Sequence, residues 1–143
     1  MKIAGTDTSF IDGEGIAFVV YFQGCFHDCE GCHNPDLQPL NGGYEANVPI
    51  IDSLYDSVVL TGGEPLLQPA AVLAIAESTD LPVWLYTGFE YEDIPPVIRS
   101  KVDVIVCGKY EHAERTGSFP ASGNQRVFRR GELANAVDIF RRV

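Results

Sequence analysis

Three cysteines, Cys25, Cys29 and Cys32, stand inside Gly24-Cys-Phe-His-Asp-Cys-Glu-Gly-Cys-His-Asn-Pro. The spacing, C-x3-C-x2-C, supplies three thiolates from one short loop. A structural zinc site takes four ligands, and so does an iron–sulfur cube held wholly by protein. Three soft ligands without a fourth fit a cluster with one iron left open to a substrate. Gly24 and Gly31 keep side-chain bulk off a large inorganic core and free backbone amides to bond its sulfurs. The plainer alternative is zinc with His27 or His33 as fourth ligand. That asks adjacent residues, Cys32 and His33, to reach one tetrahedral ion, or asks His27 to do so from inside the three-residue gap.

A second chemistry-bearing stretch is Thr61-Gly62-Gly63-Glu64-Pro65, directly after the apolar Val58–Leu60. Two glycines let a ligand approach the backbone closely. The Glu64 carboxylate and exposed carbonyls add negative charge, which suits an ammonium group and not a phosphate. The chain lacks G-x4-G-K-[ST], so this is not a Walker loop. Cys107, the fourth cysteine, ends an apolar run. It reads as a small buried group or, less simply, as a thiol facing a pocket. His27 and His112 read as packing or surface residues, and Trp84 and Tyr86 as core.

These loops need elements to hold them. Ile16–Phe22, Val58–Leu60, Val83–Tyr86 and Val102–Val106 are continuous apolar runs, the pattern of strands buried on both faces of a parallel sheet. Leu66–Ser78 reads as a helix opened by Pro65. Tyr91–Ser100 is a weaker one, interrupted by Pro95 and Pro96. Val127-Phe128 ends a last strand. Leu133, Ala136, Val137 and Phe140 share a face if 132–142 is a closing helix. Strand, loop and helix alternate, which predicts an α/β fold with right-handed crossovers. Ligands of such sheets gather at the carboxyl ends of the strands, where the cysteine loop falls. The 143 residues predict one domain, 1–143, and suffice only for part of a β/α barrel, since a full one takes about 250.

Net charge is −10, unevenly spread: residues 1–98 hold fifteen acids and one base, residues 99–143 nine bases and five acids. The acidic majority predicts no nucleic-acid binding. Arg126, Arg129, Arg130, Arg141 and Arg142 form either a docking face for an acidic partner or a solvated helix face. No run approaches the ~20 apolar residues of a membrane span, and the start shows no apolar signal region. A cytoplasmic, reducing location is expected, where close cysteines serve as metal ligands before disulfides.

Taken together, the cysteine loop after one strand and Gly-Gly-Glu-Pro after the next resemble the radical S-adenosylmethionine superfamily. Asp12-Gly13-Glu14-Gly15, Phe22-Gln23-Gly24-Cys25 and Cys32-His33-Asn34-Pro35 resemble its activating enzymes of glycyl-radical enzymes. The small size, Trp84–Phe89, Gly108-Lys109 and Ser122-Gly123-Asn124-Gln125-Arg126 resemble the branch that activates anaerobic ribonucleoside-triphosphate reductase. The resemblance covers nearly the whole chain and implies an open, partial β/α barrel of the radical SAM type. It implies a [4Fe-4S] cluster on Cys25, Cys29 and Cys32, with S-adenosyl-L-methionine chelated to the fourth iron. Gly62, Gly63 and Glu64 would receive the methionyl ammonium. Lys109 would reach the carboxylate, Asn124 the ribose or carboxylate, and His33 or Phe26 the adenine. Arg126 would pair with the cofactor or with Asp103. A flavodoxin- or ferredoxin-like donor would reduce the cluster. The resulting 5′-deoxyadenosyl radical would take a hydrogen from a glycine of the large subunit of the reductase, with no side chain needed as acid or base.

The sequence departs from the resembled pattern at three places. Gly31 stands where many superfamily members place an aromatic residue, Glu14 where related activases have proline, and Cys107 where relatives tend to have aspartate. Glu14 carries no evident consequence in the sequence. Three other functions compete: an activase of another glycyl-radical enzyme of the formate acetyltransferase type, a small-molecule radical enzyme such as the deazapurine-forming carboxylate synthase, and a non-catalytic zinc-binding module.

Overall fold

The computed structural model of the chain describes residues 1–135. Eight strands form one sheet: β1 (Lys2–Ser9), β2 (Ala17–Phe22), β3 (Tyr44–Glu45), β4 (Ser57–Gly62), β5 (Val83–Thr87), β6 (Val104–Cys107), β7 (Arg126–Arg129) and β8 (Glu132–Ala134). Their order is β3-β1-β2-β4-β5-β6-β7-β8. The centre, β2-β4-β5-β6, is parallel. The flanks, β1 on β2 and β7 on β6, are antiparallel. Two helices follow the central strands, α1 (Pro69–Ser78) and α2 (Pro96–Lys101). The fold is therefore α/β, as the apolar runs require.

The continuous runs are explained by burial on two sides. Val20, Phe22, Val58, Leu60, Leu85 and Ile105 face one core with Val72 and Ile75 of α1 and Ile98 of α2. The residues between them, including Val19, Val59, Trp84, Val104 and Val106, face a second core. Among the described residues, no helix covers that second face. The 9–16 loop reaches across it instead, since Tyr86 Oη donates to the Asp12 carbonyl at 2.6 Å and Ser57 Oγ to the Glu14 carbonyl at 2.8 Å.

Prolines set the helix starts. The expected helix at 66–78 begins instead as a 3-10 turn, Pro65–Leu67, and turns α-helical at Pro69. The weaker helix resolves into a 3-10 turn at Tyr91–Asp93 and α2, split at the two prolines.

The closing helix expected from residue 132 is corrected: Glu132–Ala134 is a strand paired antiparallel with β7. Arg130 and Gly131, both at positive φ, make the two-residue hairpin turn that reverses the chain. The remainder of that expected helix, with Arg141 and Arg142, lies outside the described residues. The basic cluster is also divided. Arg129 pairs with Glu14, Arg130 with Asp103, and Arg126 with Glu90 and Glu92 rather than with Asp103.

Candidate active site

Parallel alignment brings four strand ends together, and each is followed by glycine: Gly24 after β2, Gly63 after β4, Gly88 after β5 and Gly108 after β6. These loops surround a cavity of about 670 Å³. Cys25, Cys29, Cys32, His33, Gly62 and Gly63, all singled out in the sequence, line it. Glu64, Lys109 and Asn124 are not among the lining residues.

The cysteine loop is pinned at its base. Gly24 N–H donates to the Leu37 carbonyl at 2.7 Å and Cys25 N–H to the Gln38 carbonyl at 2.9 Å. All three thiols are half-buried and free. Burial pushes the Cys25 thiol above its ordinary range, helped by the Glu64 carboxylate and opposed by a backbone hydrogen bond at His27. Burial likewise raises Cys29, while nearby Lys109 and a backbone hydrogen bond at Tyr110 pull it down. Such thiols stay protonated until a metal displaces the protons. Among the described residues, no three His, Cys, Asp or Glu side chains form the tight cage that one ion needs. The donor set, three soft thiols beside an open cavity, fits a larger cluster with a free coordination position.

Gly62 and Gly63 are required by the chain itself. Gly62 has φ +120°, and a Cβ at Gly63 would collide with the Gly24 and Leu37 carbonyl oxygens. Gly63 N–H donates to the Phe22 carbonyl at 2.9 Å, and Glu64 N–H to the Gly24 carbonyl at 2.7 Å. The glycine turn is thus sewn to the root of the cysteine loop.

The Glu64 side chain is fully buried. Its carboxylate accepts from Gly88 N–H at 2.7 Å, from Leu66 N–H at 2.9 Å and from Thr87 Oγ1 at 2.8 Å. It also accepts from His27 Nε2 at 2.7 Å. His27 is therefore a site-wall residue that packing arguments alone undervalued. An imidazole inside the ligand loop, with a buried acid elsewhere in the chain, was the only available signal.

The far wall comes from the turn after β6. Tyr110 lies against His33 with ring centroids 4.9 Å apart, and its hydroxyl meets His112 Nδ1 at 3.0 Å. The place a side chain at Gly31 would take is filled by the His112 ring. Asn124 Nδ2 donates to the Lys109 carbonyl and Gln125 Nε2 to the Gly108 carbonyl, both at 2.9 Å. The Asn-Gln pair thus braces the Gly-Lys turn. Cys107 is buried, outside the cavity wall, with its thiol pushed up to about 11 by burial.

Comparison with known proteins places the chain in a family. A family model described as a 4Fe-4S single cluster domain matches residues 11–128. The anaerobic ribonucleoside-triphosphate reductase-activating protein of Enterobacteria phage T4 is 32% identical over 136 residues, covering 83% of this chain and 87% of that one. Its namesake from Vibrio cholerae serotype O1 is 30% identical over 142 residues, covering 83% and 91%. The pyruvate formate-lyase-activating enzyme of Clostridium pasteurianum is 40% identical over 76 residues, covering 46% of this chain and 32% of that one. The chain belongs to the 4Fe-4S single cluster domain family and, within it, to the anaerobic ribonucleoside-triphosphate reductase-activating proteins.

Proposed function

We propose that this chain is a radical S-adenosylmethionine activase that installs a glycyl radical on the large subunit of an anaerobic ribonucleoside-triphosphate reductase. The carrying observation is three free, half-buried thiols in C-x3-C-x2-C spacing at the wall of a cavity at the carboxyl ends of parallel strands. When bound, the [4Fe-4S] cluster and S-adenosyl-L-methionine supply reductive cleavage of the sulfonium and a 5′-deoxyadenosyl radical that takes hydrogen from a glycine. The protein's share is to bind, orient and exclude water.

Cys25, Cys29 and Cys32 hold the cluster. Gly62 and Gly63 line the cavity, and their backbone would receive the methionyl ammonium. Lys109 lies outside the cavity wall but near enough to Cys29 to bias its thiol, and its long side chain would reach in to the methionyl carboxylate. Asn124 lies outside the cavity wall, and its Oδ1, without a hydrogen-bond partner among the described residues, would have to turn inward to meet the ribose or the carboxylate. His33, at the cavity wall, would lie against the adenine. The sheet is the wall of an open, partial β/α barrel in a single domain. The chain works in the cytoplasm, with a flavodoxin- or ferredoxin-like protein as electron donor.

Anaerobic reconstitution with iron and sulfide, reduction and addition of S-adenosyl-L-methionine test this. The expected products are 5′-deoxyadenosine and, with the reductase from the same source, a glycyl radical. Cys25→Ala is expected to give neither. Bound zinc without acid-labile sulfide, or no 5′-deoxyadenosine above the Cys25→Ala level, overturns the reading.

A further inference from the structure

We propose that Glu64 serves the cysteine loop rather than a ligand: its buried carboxylate holds His27, and His27 fixes the loop between Cys25 and Cys29 for cluster binding. Both are positioning residues, and the proposal rests on the cluster reading above.

A carboxylate offers about four lone-pair sites. Four donors already occupy those of Glu64: Gly88 N–H, Leu66 N–H, the Thr87 hydroxyl and His27 Nε2. The group is fully buried and does not reach the cavity wall. An incoming ammonium would have to displace one of these donors.

His27 is two residues from each of two ligand cysteines. Its ring is enclosed, with centroids 4.6 Å from Phe26 and 5.3 Å from Phe89. A Cβ on Gly88 would stand 2.6 Å from the imidazole. Glycine at 88 is thus required by the seat of His27, and the backbone N–H of the same glycine joins the Glu64 carboxylate. Next to His27, Asp28 sits at φ +50°. That conformation is uncommon for residues with a Cβ, so neighbours must hold the loop in it. The Glu64–His27 hydrogen bond ties the middle of this stretch to the ends of β4 and β5, while the Cys29 thiol meets backbone at Tyr110 after β6.

The test uses the full chain, reconstituted without oxygen. The readouts are iron release to EDTA, S-adenosyl-L-methionine affinity by equilibrium dialysis, and thermal unfolding of the metal-free protein. Glu64→Gln and His27→Leu are each expected to speed iron release about tenfold, the loss of one charge-assisted hydrogen bond. The double variant is expected to be no faster than the faster single one, because both remove the same tie. His27→Gln keeps an N–H donor and is expected to restore slow release. Unfolding of the metal-free His27 variants is expected to match the parent, which separates loop positioning from general stability. If Glu64→Gln instead weakens S-adenosyl-L-methionine binding while iron release stays at the parent rate, and His27→Leu is silent, Glu64 acts on the ligand and the proposal fails. Should Glu64→Gln not fold, the His27→Leu and His27→Gln pair decides by the same iron-release criterion. A parent chain that holds no iron overturns the functional reading itself.

Discussion

Glu14, which suggests no role in the sequence, is 8% exposed and accepts from Arg129 Nη2 at 2.8 Å and Trp84 Nε1 at 3.3 Å. It locks the 9–16 loop over the sheet face opposite α1 and α2. Its partners lie 70 and 115 positions away, beyond any local pattern. Removing one member of a buried ion pair leaves the other without compensation, so Glu14→Ala is expected to cost about 3 kcal/mol in chemical denaturation. Cys107 makes a second prediction. Burial raises its thiol from 9.0 to about 11. Below pH 9 folded and unfolded chains both carry the protonated thiol, so it does not affect stability. As pH rises from about 9 to about 11 the unfolded chain ionises first, and stability is lost. Cys107→Ala is expected to flatten that alkaline loss, seen as a smaller drop in denaturation midpoint between about pH 8 and about pH 10.5 than in the parent.

At the level of elements, the parallel centre was legible because strands buried on both faces must be apolar throughout, as β2, β4, β5 and β6 are. Of the flanks, β7 was legible through Val127-Phe128, and β1, β3 and β8 were not. β1 reads Lys-Ile-Ala-Gly-Thr-Asp-Thr-Ser, and its exposed half has no apolar alternation to mark it. β8 has three residues and only Leu133 to suggest burial, yet Leu133 is 69% exposed. Helical spacing from 133 to 140 outweighed the hairpin signal at Arg130-Gly131 because positive φ at an arginine cannot be read from residue type. The glycine turn after β4 was located correctly, but its glycines answer first to the cysteine loop packed on them. Gly63→Ala is therefore expected to push that loop outward and lower iron incorporation several-fold after reconstitution, while far-ultraviolet circular dichroism stays unchanged. Full iron loading of Gly63→Ala would show that the turn and the loop are mechanically independent.

Over the whole molecule, a parallel sheet collects four glycine-bearing strand ends around one cavity and leaves three thiols at its wall. Spacing alone singled out the cysteines as candidate ligands. The braces behind them were hidden, because Asn124, Gln125 and His27 meet their partners only after folding. Membership of the activating-protein family fits this division between a short ligand motif and a supporting shell spread along the chain. The most direct measurement of the account is electron paramagnetic resonance of the anaerobically reconstituted, reduced chain before and after S-adenosyl-L-methionine is added. The account predicts a reduced-cluster signal whose g values shift on addition, and no such signal from Cys29→Ala. A cluster signal that S-adenosyl-L-methionine leaves unchanged would mean no iron is open to it, and would contradict the account.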